Sequence, residues 1–420
     1  MSGITTGDMM HVHGGFDTNV DYTVRISVRM ADAVDADMLR AALEKTQRRY
    51  PYLSVRMRRG ESAFFYDANP RPVVLLRQDA PVCLNSPETN WHVWSVCCAE
   101  DRIHLDFYHG ITDGTGMYRV LATLLYYYCA ERYGVTDHAG ILTLEDPVDP
   151  AEFADPQDTL PAPGQPPAPM AEAFTLERDG GLTPAGPTLW DVEIPEDAFI
   201  AFTSANDASP GTMISLLLAR AIDGLYPERT RDIVSAYVIN ARPMLHAEKT
   251  HHNCLCMALF PYSDRIRAMP FSRQCTVYRG MTFIQSDADR VAAGMAANAA
   301  LIRASAQAAR TTEKKKQVFG PMFRGGEGAV SFLVSYTGKW RHPALGKHMR
   351  EFWAHPPNTF GLMVEIGAAG GKIFLTVQQR FREDTVRRAF LQQLEEHHVP
   401  YTLRRVMPSD TAFFPEPPEE

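Results

Sequence analysis

The chain has 420 residues, 45% of them hydrophobic, and a formal net charge of −8, which is typical of a globular protein with a large core. An acidic chain without clusters of Lys and Arg excludes nucleic acid as the main partner. No apolar run approaches the roughly 18 residues of a membrane span. The seven cysteines, an odd number, and a first segment without a signal-peptide pattern predict a cytoplasmic protein.

The first 150 residues alternate between strand and helix patterns. Residues 22–30 have the period of a strand, and residues 35–50 have the period of a helix that ends before Pro51. A second helix begins near Gly114 to Met117 and ends at Gly134, a residue suited to the C-cap. The remaining strands are predicted at 72–78, 91–98 and 102–109.

A proline-rich segment divides the chain. Eight of the 23 residues from Pro147 to Pro169 are proline, which excludes a helix or a central strand there. We predict an N-terminal domain at 1–150, a linker or crossover at 151–185 and a C-terminal domain at 186–420.

The second part of the chain repeats the mixture. Ser209 and Pro210 suit the start of a helix that extends to residue 226. Because strands and helices interleave in both parts, the predicted fold class is α/β or α+β, with a mixed sheet in each. Further helices are predicted at 287–309 and 383–398, and strands at 232–240, 328–338, 360–367 and 372–379.

The stretch Phe107–Gly114, "FYHGITDG", holds the strongest candidate for chemistry. His109 comes at the carboxyl end of a predicted strand and just before a helix N-terminus, where open α/β sheets bind ligands. Free N–H groups of the helix start stabilise negative charge, and a neutral imidazole beside them suits a general base. Asp113 is predicted to tie the loop down. The spacing alone favours a structural turn over a catalytic residue.

Other motifs carry weaker signals. The sequence has no Gly-x-Ser-x-Gly, His-Glu-x-x-His, phosphate-loop or dinucleotide-binding pattern. The histidine pairs lack ligand-like partners, so we predict surface or capping histidines and no metal site. Cys254 and Cys256 are expected to be buried thiols, and the run of Lys314 to Lys316 a solvated surface. The pairs are His11 with His13, His251 with His252, and His397 with His398.

The segment Tyr108–Gly114 resembles the His-His-x-x-x-Asp-Gly signature of the chloramphenicol acetyltransferase-like, or condensation-domain-like, acyltransferases. Tyr108 replaces the first His, as in many members that do not make peptides. Residues 35–57 resemble the family's opening helix and the segment after it, and the plant "DFGWG" motif is absent. The resemblance extends over nearly the whole chain through Asn240, Arg242 and Pro243, through Asn253 after His252, and through Ser335–Gly338.

The resemblance implies two lobes that form a V with a tunnel between them. It implies that His109 is the general base for direct attack of an acceptor on a thioester, without an acyl-enzyme. Gly114 at the helix start, with Ser335 or Thr337, would stabilise the oxyanion. Asp113 and Arg242 would form a structural pair between the lobes, because a buried carboxylate needs a partner.

The same resemblance suggests substrates. The expected donor is acyl-CoA, the expected acceptor is a small-molecule hydroxyl or amine, and a monomer without a permanently bound cofactor is expected. Two alternatives stay open. In the first, the chain is a freestanding condensation enzyme that uses substrates bound to an acyl carrier protein. In the second, it is a catalytically silent binding protein with the same fold.

Overall fold

The computed structural model describes residues 2–18, 20–164, 170–409 and 414–418. Its helices are α1 (Thr6–Thr18), α2 (Ala36–Arg49), α3 (Gly114–Tyr133), α4 (Glu196–Ala205), α5 (Pro210–Leu225), α6 (Asp264–Arg267), α7 (Phe271–Gln285), α8 (Ala288–Ala308), α9 (Thr312–Gly328), α10 (Pro343–Gly346) and α11 (Thr385–Glu396). Its strands are β1 (Ser2–Gly3), β2 (Thr23–Met30), β3 (Val55–Arg59), β4 (Phe64–Ala68), β5 (Leu75–Leu76), β6 (Trp94–Ala99), β7 (Arg102–Tyr108), β8 (Pro184–Pro195), β9 (Ile233–Asn240), β10 (Leu255–Tyr262), β11 (Phe332–Lys339), β12 (Met349–His355), β13 (Leu362–Ala369), β14 (Lys372–Phe381) and β15 (Thr402–Pro408).

The first sheet has the strand order β12-β2-β7-β6-β5. Strands β2, β7 and β6 pair antiparallel, and β5 pairs parallel to β6 through only Leu75 and Leu76. Helices α2 and α3 contribute buried residues to the same hydrophobic cluster as this sheet. The predicted strand at 72–78 is therefore shorter than expected, because it is a sheet edge paired over two residues. A small sheet, β1-β4-β3, lies beside it in the chain's first part.

The second sheet has the strand order β10-β9-β11-β13-β14-β8-β15. Strands β9, β11 and β13 pair parallel, and the remaining neighbours pair antiparallel. Alternate residues such as Val364 and Ile366 are buried in a cluster with helices α5 and α11. The opposite face, with Leu333 and Met363, belongs to a separate small cluster. The predicted mixed sheet in each part of the chain is confirmed.

Local sequence signals explain where the predicted helices begin and end. The Asp113 side chain accepts from the Gly116 N–H at the start of α3, and Gly134 ends that helix with a φ of 69°, which suits glycine. Ser209 forms a capping box with Thr212 at the start of α5, with Pro210 at the first helical position. These helices were predicted from the same residues.

Helix α1 was not predicted from the sequence. It packs along α9, and its Val12 and His13 are buried. The proline-rich segment also departs from an extended linker, because Glu152 is buried and hydrogen-bonds Arg49 through both carboxylate oxygens, at 2.8 and 2.9 Å. Residues 165–169 of the predicted linker lie outside the described residues. The domain boundaries stay a prediction, and β12 crosses them by joining the first sheet from residues 349–355.

None of the helices within the described residues combines the length and the apolar composition required to cross a membrane.

Candidate active site

The backbone around His109 is held from three sides. Strand β7 ends at Tyr108, and the next N–H, that of His109, donates to the carbonyl of Tyr22 at 2.8 Å. The carbonyl of Gly110 accepts from the Tyr66 hydroxyl at 2.8 Å. Tyr108 itself is buried and stacks on Phe414 with ring centroids 3.9 Å apart, so it packs in the core of the first sheet. The turn between β7 and α3 is therefore fixed before any ligand binds.

The His109 imidazole lies against the Tyr22 ring, with centroids 4.9 Å apart and an interplanar angle of 24°. Burial lowers its pKa below the ordinary 6.5, although the Asp113 carboxylate and the Asn253 side chain act in the opposite direction. The ring is therefore unprotonated at neutral pH, and it lines the large cavity described below. An unprotonated imidazole in this position is able to accept a proton from a molecule in the cavity.

Asp113 is fully occupied by N–H donors. Its carboxylate accepts from two nitrogens of Arg242, each at 2.8 Å, from the Cys254 backbone N–H at 3.0 Å and from the Gly116 N–H at 2.9 Å. Burial acts to raise the pKa of Asp113, but the charge and hydrogen bonds of Arg242 outweigh it and hold the pKa below the usual 3.8. The carboxylate is therefore ionised and bound to Arg242. Of the two motif side chains, His109 is the one that is available to a ligand in the cavity.

Arg242 is equally satisfied. Besides the Asp113 carboxylate, its guanidinium donates to the backbone carbonyls of Thr250 and His252 at 3.0 and 2.8 Å, and its side chain is 1% exposed. The structure thus joins Asp113 and Arg242 as the resemblance implies. A buried charge pair with every donor in use is the arrangement in which loss of one partner is most costly.

Residues 250–254 also contact the motif directly. Asn253 donates through Nδ2 to the carbonyl of His109 at 2.6 Å, and Thr112 donates through Oγ1 to the carbonyl of His251 at 2.5 Å. A Cβ at Gly116 would collide with both Thr112 Oγ1 and the His251 carbonyl, so this close approach requires glycine. Asn253 therefore contacts the motif residue His109, whereas the part played by His251 was not predicted.

A cavity of about 1370 Å³ lies between the two sheets, and the His109 ring is part of its wall. The cavity-facing side of the second sheet is apolar at Val238, Leu333 and Met363 and polar at Ser335 and Glu365. Such a cavity is large enough for a small-molecule ligand, with apolar walls and a few polar groups to orient it.

The predicted oxyanion residues lie on this wall but are not equivalent. Thr337 lies next to the helix start, since a Cβ at Gly114 would be 3.0 Å from Thr337 Cγ2. Its hydroxyl donates to the Ile366 carbonyl at 3.2 Å and shares a hydrogen bond with the Tyr118 hydroxyl at 2.7 Å. Ser335 lies directly beside Glu365 across the pairing of β11 with β13. The Thr337 hydroxyl is therefore already engaged.

The expectation of surface or capping histidines is wrong for three of the six residues in the pairs. His13 and His251 are buried, and the half-buried His11 stacks on the same Tyr22 ring that contacts His109, with centroids 5.3 Å apart. Burial lowers the pKa of His11 to about 4. These histidines come from α1 and from residues 250–254, segments whose sequences have no clear period, so their burial follows from tertiary packing.

Other predictions concern metals and thiols. In the part of the chain that the structure describes, no three His, Cys, Asp or Glu side chains cluster in a way that could hold a metal ion. All seven cysteines are free thiols, with Cys254 buried and Cys256 half-buried. Lys316 contacts the Glu416 carboxylate at 2.8 Å, so the lysine run is tied to the C-terminal segment and is less solvated than predicted.

No family model matches the sequence, and no curated protein matches it. Solved structures match nearly its whole length. TRI101 of Fusarium sporotrichioides, in complex with coenzyme A and T-2, is 11% identical with a TM-score of 0.62, over 91% of this chain and 96% of that one. The first condensation domain of the calcium-dependent antibiotic synthetase, in complex with a substrate analogue, is 13% identical with a TM-score of 0.61, over 96% and 99%.

A third similar structure is polyketide synthase associated protein 5 of Mycobacterium tuberculosis, 11% identical with a TM-score of 0.59, over 94% of this chain and 98% of that one. Together these similarities confirm the resemblance at the level of the fold. The chain has the fold of the chloramphenicol acetyltransferase-like and condensation-domain acyltransferases. At this identity, the role of each residue is argued from the geometry of the site.

Proposed function

We propose that this chain is an acyltransferase that moves an acyl group from a thioester donor to a hydroxyl or amine of a small-molecule acceptor. The observation that carries the proposal is the His109 imidazole, which burial keeps unprotonated and which faces the cavity between the sheets. The fold, shared with structures of acetyltransferases that hold coenzyme A, supports it.

In the proposed reaction, His109 takes the proton from the acceptor as the acceptor oxygen or nitrogen attacks the thioester carbonyl. A tetrahedral oxyanion forms, and the bond between the carbonyl carbon and sulfur then breaks. The imidazolium returns the proton to the departing thiolate, so the products are the acylated acceptor and the free thiol. Because the acceptor attacks the thioester directly, the enzyme itself is not acylated.

The oxyanion is proposed to be stabilised at the start of α3. Asp113 already uses the Gly116 N–H, whereas no described residue accepts from the N–H groups of Gly114 or Thr115. These donors lie where the helix dipole is positive. Ser335 is the better side-chain candidate, because Thr337 already donates to the Ile366 carbonyl.

The proposed donor is acyl-CoA, since solved structures with this fold hold coenzyme A. The similarity to a condensation domain favours a second candidate, a condensation enzyme that uses substrates bound to a carrier protein. The catalytically silent binding protein is the third. Cytoplasmic location and a monomeric state remain predictions.

One experiment separates these functions. The purified protein is incubated with acetyl-CoA and longer acyl-CoA thioesters, or with acyl-pantetheine thioesters that mimic a carrier arm, together with alcohols and amines. Release of free thiol that depends on the acceptor supports transfer, and the preferred thioester distinguishes the two donors. If no thioester is consumed by the wild type with any acceptor while ligands still bind, the silent binding protein is the correct assignment.

A further inference from the structure

Glu365 is an acidic side chain on the cavity wall that the proposed reaction does not use. It lies on β13 directly beside Ser335 of β11 and opposite Thr376 of β14. Its chain neighbours Val364 and Ile366 are buried on the helix-covered face of the sheet, so Glu365 faces the other way. It lines the same cavity as His109 and keeps part of its surface accessible there.

The surroundings of Glu365 contain no cation. Ser335 lies directly beside it on the neighbouring strand, and no Lys, Arg or His of the described residues forms an ion pair with it. The Tyr118 hydroxyl of α3, which hydrogen-bonds Thr337, is a titratable group on another element whose pKa the charge of Glu365 would raise. Four other buried acids of the chain each pair with an arginine, as in Asp106 with Arg25, Asp113 with Arg242, Glu152 with Arg49 and Asp191 with Arg405.

An unpaired carboxyl in an apolar wall is costly when it ionises. Burial raises the pKa of Glu365 to about 8, although the Ser335 hydroxyl lowers it somewhat. The group is therefore mostly protonated at neutral pH in the free protein. A cation placed beside it would favour the carboxylate and supply the kind of partner that arginines supply to those four acids. Asp8, a further buried acid, is partnered by the Thr5 hydroxyl and the Asn253 amide instead and does not line this cavity.

We propose that Glu365 binds a protonated nitrogen of the acyl acceptor, which is then an amino alcohol or a diamine. The assignment of the cation to the acceptor rests on the proposed function, because an acyl-CoA donor is anionic through its phosphates. Glu365 lies close to the motif helix through Tyr118, which is one turn after Gly114 and thus about 6 Å further along α3. His109 follows β7 of the first sheet and Glu365 lies on β13 of the second sheet, so in this proposal the nitrogen bound at Glu365 is a different group from the one that is acylated at His109.

The test compares two ligands of equal size without any thioester. The ligands are 6-amino-1-hexanol, which is cationic at pH 7, and 1-heptanol, in which a methyl group replaces the ammonium group. Wild type is expected to bind the amino alcohol at least about tenfold more tightly. Binding is measured by calorimetry in two buffers of different ionisation enthalpy, where a neutral carboxyl that becomes a carboxylate releases a proton into the buffer.

The variant Glu365→Gln is expected to lose this preference, because the amide keeps the shape and removes the charge. It should fold, since the group that it replaces is mostly neutral. The matched control Glu44→Gln makes the same change at an exposed glutamate of α2 that does not line the cavity, and it is expected to keep the wild-type preference. Equal binding of the two ligands by wild type, or a preference that survives in Glu365→Gln, overturns the proposal.

Because no donor is present, this outcome is independent of acyl transfer. Binding of the amino alcohol through Glu365 with no thioester consumed would sink the proposed function and leave the cation site standing. Turnover of alcohols with no preference for the amino alcohol would support the proposed function and overturn the cation site.

Discussion

Asp113 and Glu365 line the same cavity, and the protein surrounds their carboxyl groups in opposite ways. Asp113 accepts four hydrogen bonds, two from the Arg242 guanidinium and two from backbone N–H groups, and its pKa lies below the ordinary value. Glu365 has a serine hydroxyl and no cation, and burial raises its pKa to about 8. Burial alone therefore does not decide the charge of a carboxyl. The donors that surround it do.

The difference follows from where each residue lies in the fold. Asp113 lies at a helix start, where backbone N–H groups are free. It contacts residues 240–254, at the end of β9 and in its connection to β10. Glu365 is in the middle of a regular strand, where the backbone N–H groups are already used by neighbouring strands. The first position is suited to hold the structure together, and the second leaves a polar group available for a ligand.

The largest expected effect belongs to His109, and it tests whether this imidazole, and neither Asp113 nor Glu365, is the catalytic base. If His109 is the base and both carboxyls have other tasks, His109→Ala lowers turnover by about 10²–10⁴-fold, the usual contribution of a general base. The fold should persist, since the His109 backbone makes the hydrogen bonds. Turnover and thermal unfolding are measured on the same preparation, with His398→Ala, an exposed histidine, as the control. Near wild-type turnover in His109→Ala would remove His109 from the reaction.

The second effect concerns Asp113 as a structural group. Asp113→Asn or Arg242→Met strands a buried charge and should cost about 3–5 kcal/mol of stability, because the pair is 1% and 5% exposed. The double variant should be less destabilised than the sum of the singles. A denaturant double-mutant cycle measures this.

The control for that cycle is the half-exposed pair of Arg56 and Asp67, whose loss should cost only about 0–1 kcal/mol. Strictly additive effects of Asp113→Asn and Arg242→Met would mean that the two side chains do not stabilise each other, and the comparison with Glu365 would lose its first half.

The sequence was informative where a local pattern decides the structure. Strand β7 and the C-cap at Gly134 follow from alternation and glycine, and both are present. Asp113 was predicted only to tie the loop down, and the structure shows it as the N-cap of α3. The pairing of Asp113 with Arg242 came from the resemblance to a family, because no local rule joins residues 129 positions apart. For such a pair, the information lies in the motif and not in the spacing.

The sequence was not informative where assembly decides the environment. Residues 360–367 were predicted as a strand, but the sequence alone does not show what Glu365 faces. Its side of the strand is turned to a cavity, because β12 joins the first sheet and brings the two sheets together. In the same way, Pro321 and several glycines give the sequence of α9 no helical pattern. The packing of α9 on α1 is what buries His13.

A smaller effect is the pH dependence of turnover. His109 acts in its unprotonated form, and its pKa lies below 6.5, so kcat/KM for a neutral alcohol should be level above pH 6.5 and fall as pH decreases below it. Of the groups around the ring, Asp113 is ionised throughout, and burial lowers the pKa of His11 to about 4. Burial raises the pKa of Asp8, which accepts from the same Asn253 side chain that contacts the His109 carbonyl, so the profile is also measured for Asp8→Asn, in which the limb should persist. A limb centred well above pH 6.5 would contradict an imidazole that burial keeps neutral.

The smallest expected effect is opposite in sign to the effect of Asp113→Asn. Removing the charge at Glu365 should make the protein more stable relative to wild type as the pH rises. In the folded protein the pKa of Glu365 is about 8, against an ordinary 4.5, so between these values the folded state holds a proton that the unfolded chain has released. The stability of wild type therefore decreases as pH rises through this window. Glu365→Gln does not titrate, so its stability relative to wild type should increase by about 1 kcal/mol from pH 5 to pH 8, less than the full shift implies because the cavity leaves the carboxyl partly hydrated. Urea unfolding of both proteins at the two pH values measures the difference, and Glu44→Gln, at an exposed site, should show no such trend. A variant that is less stable than wild type at pH 8 would show that Glu365 is ionised and well partnered in the free protein, like Asp113, and the contrast between the two carboxyls would fail.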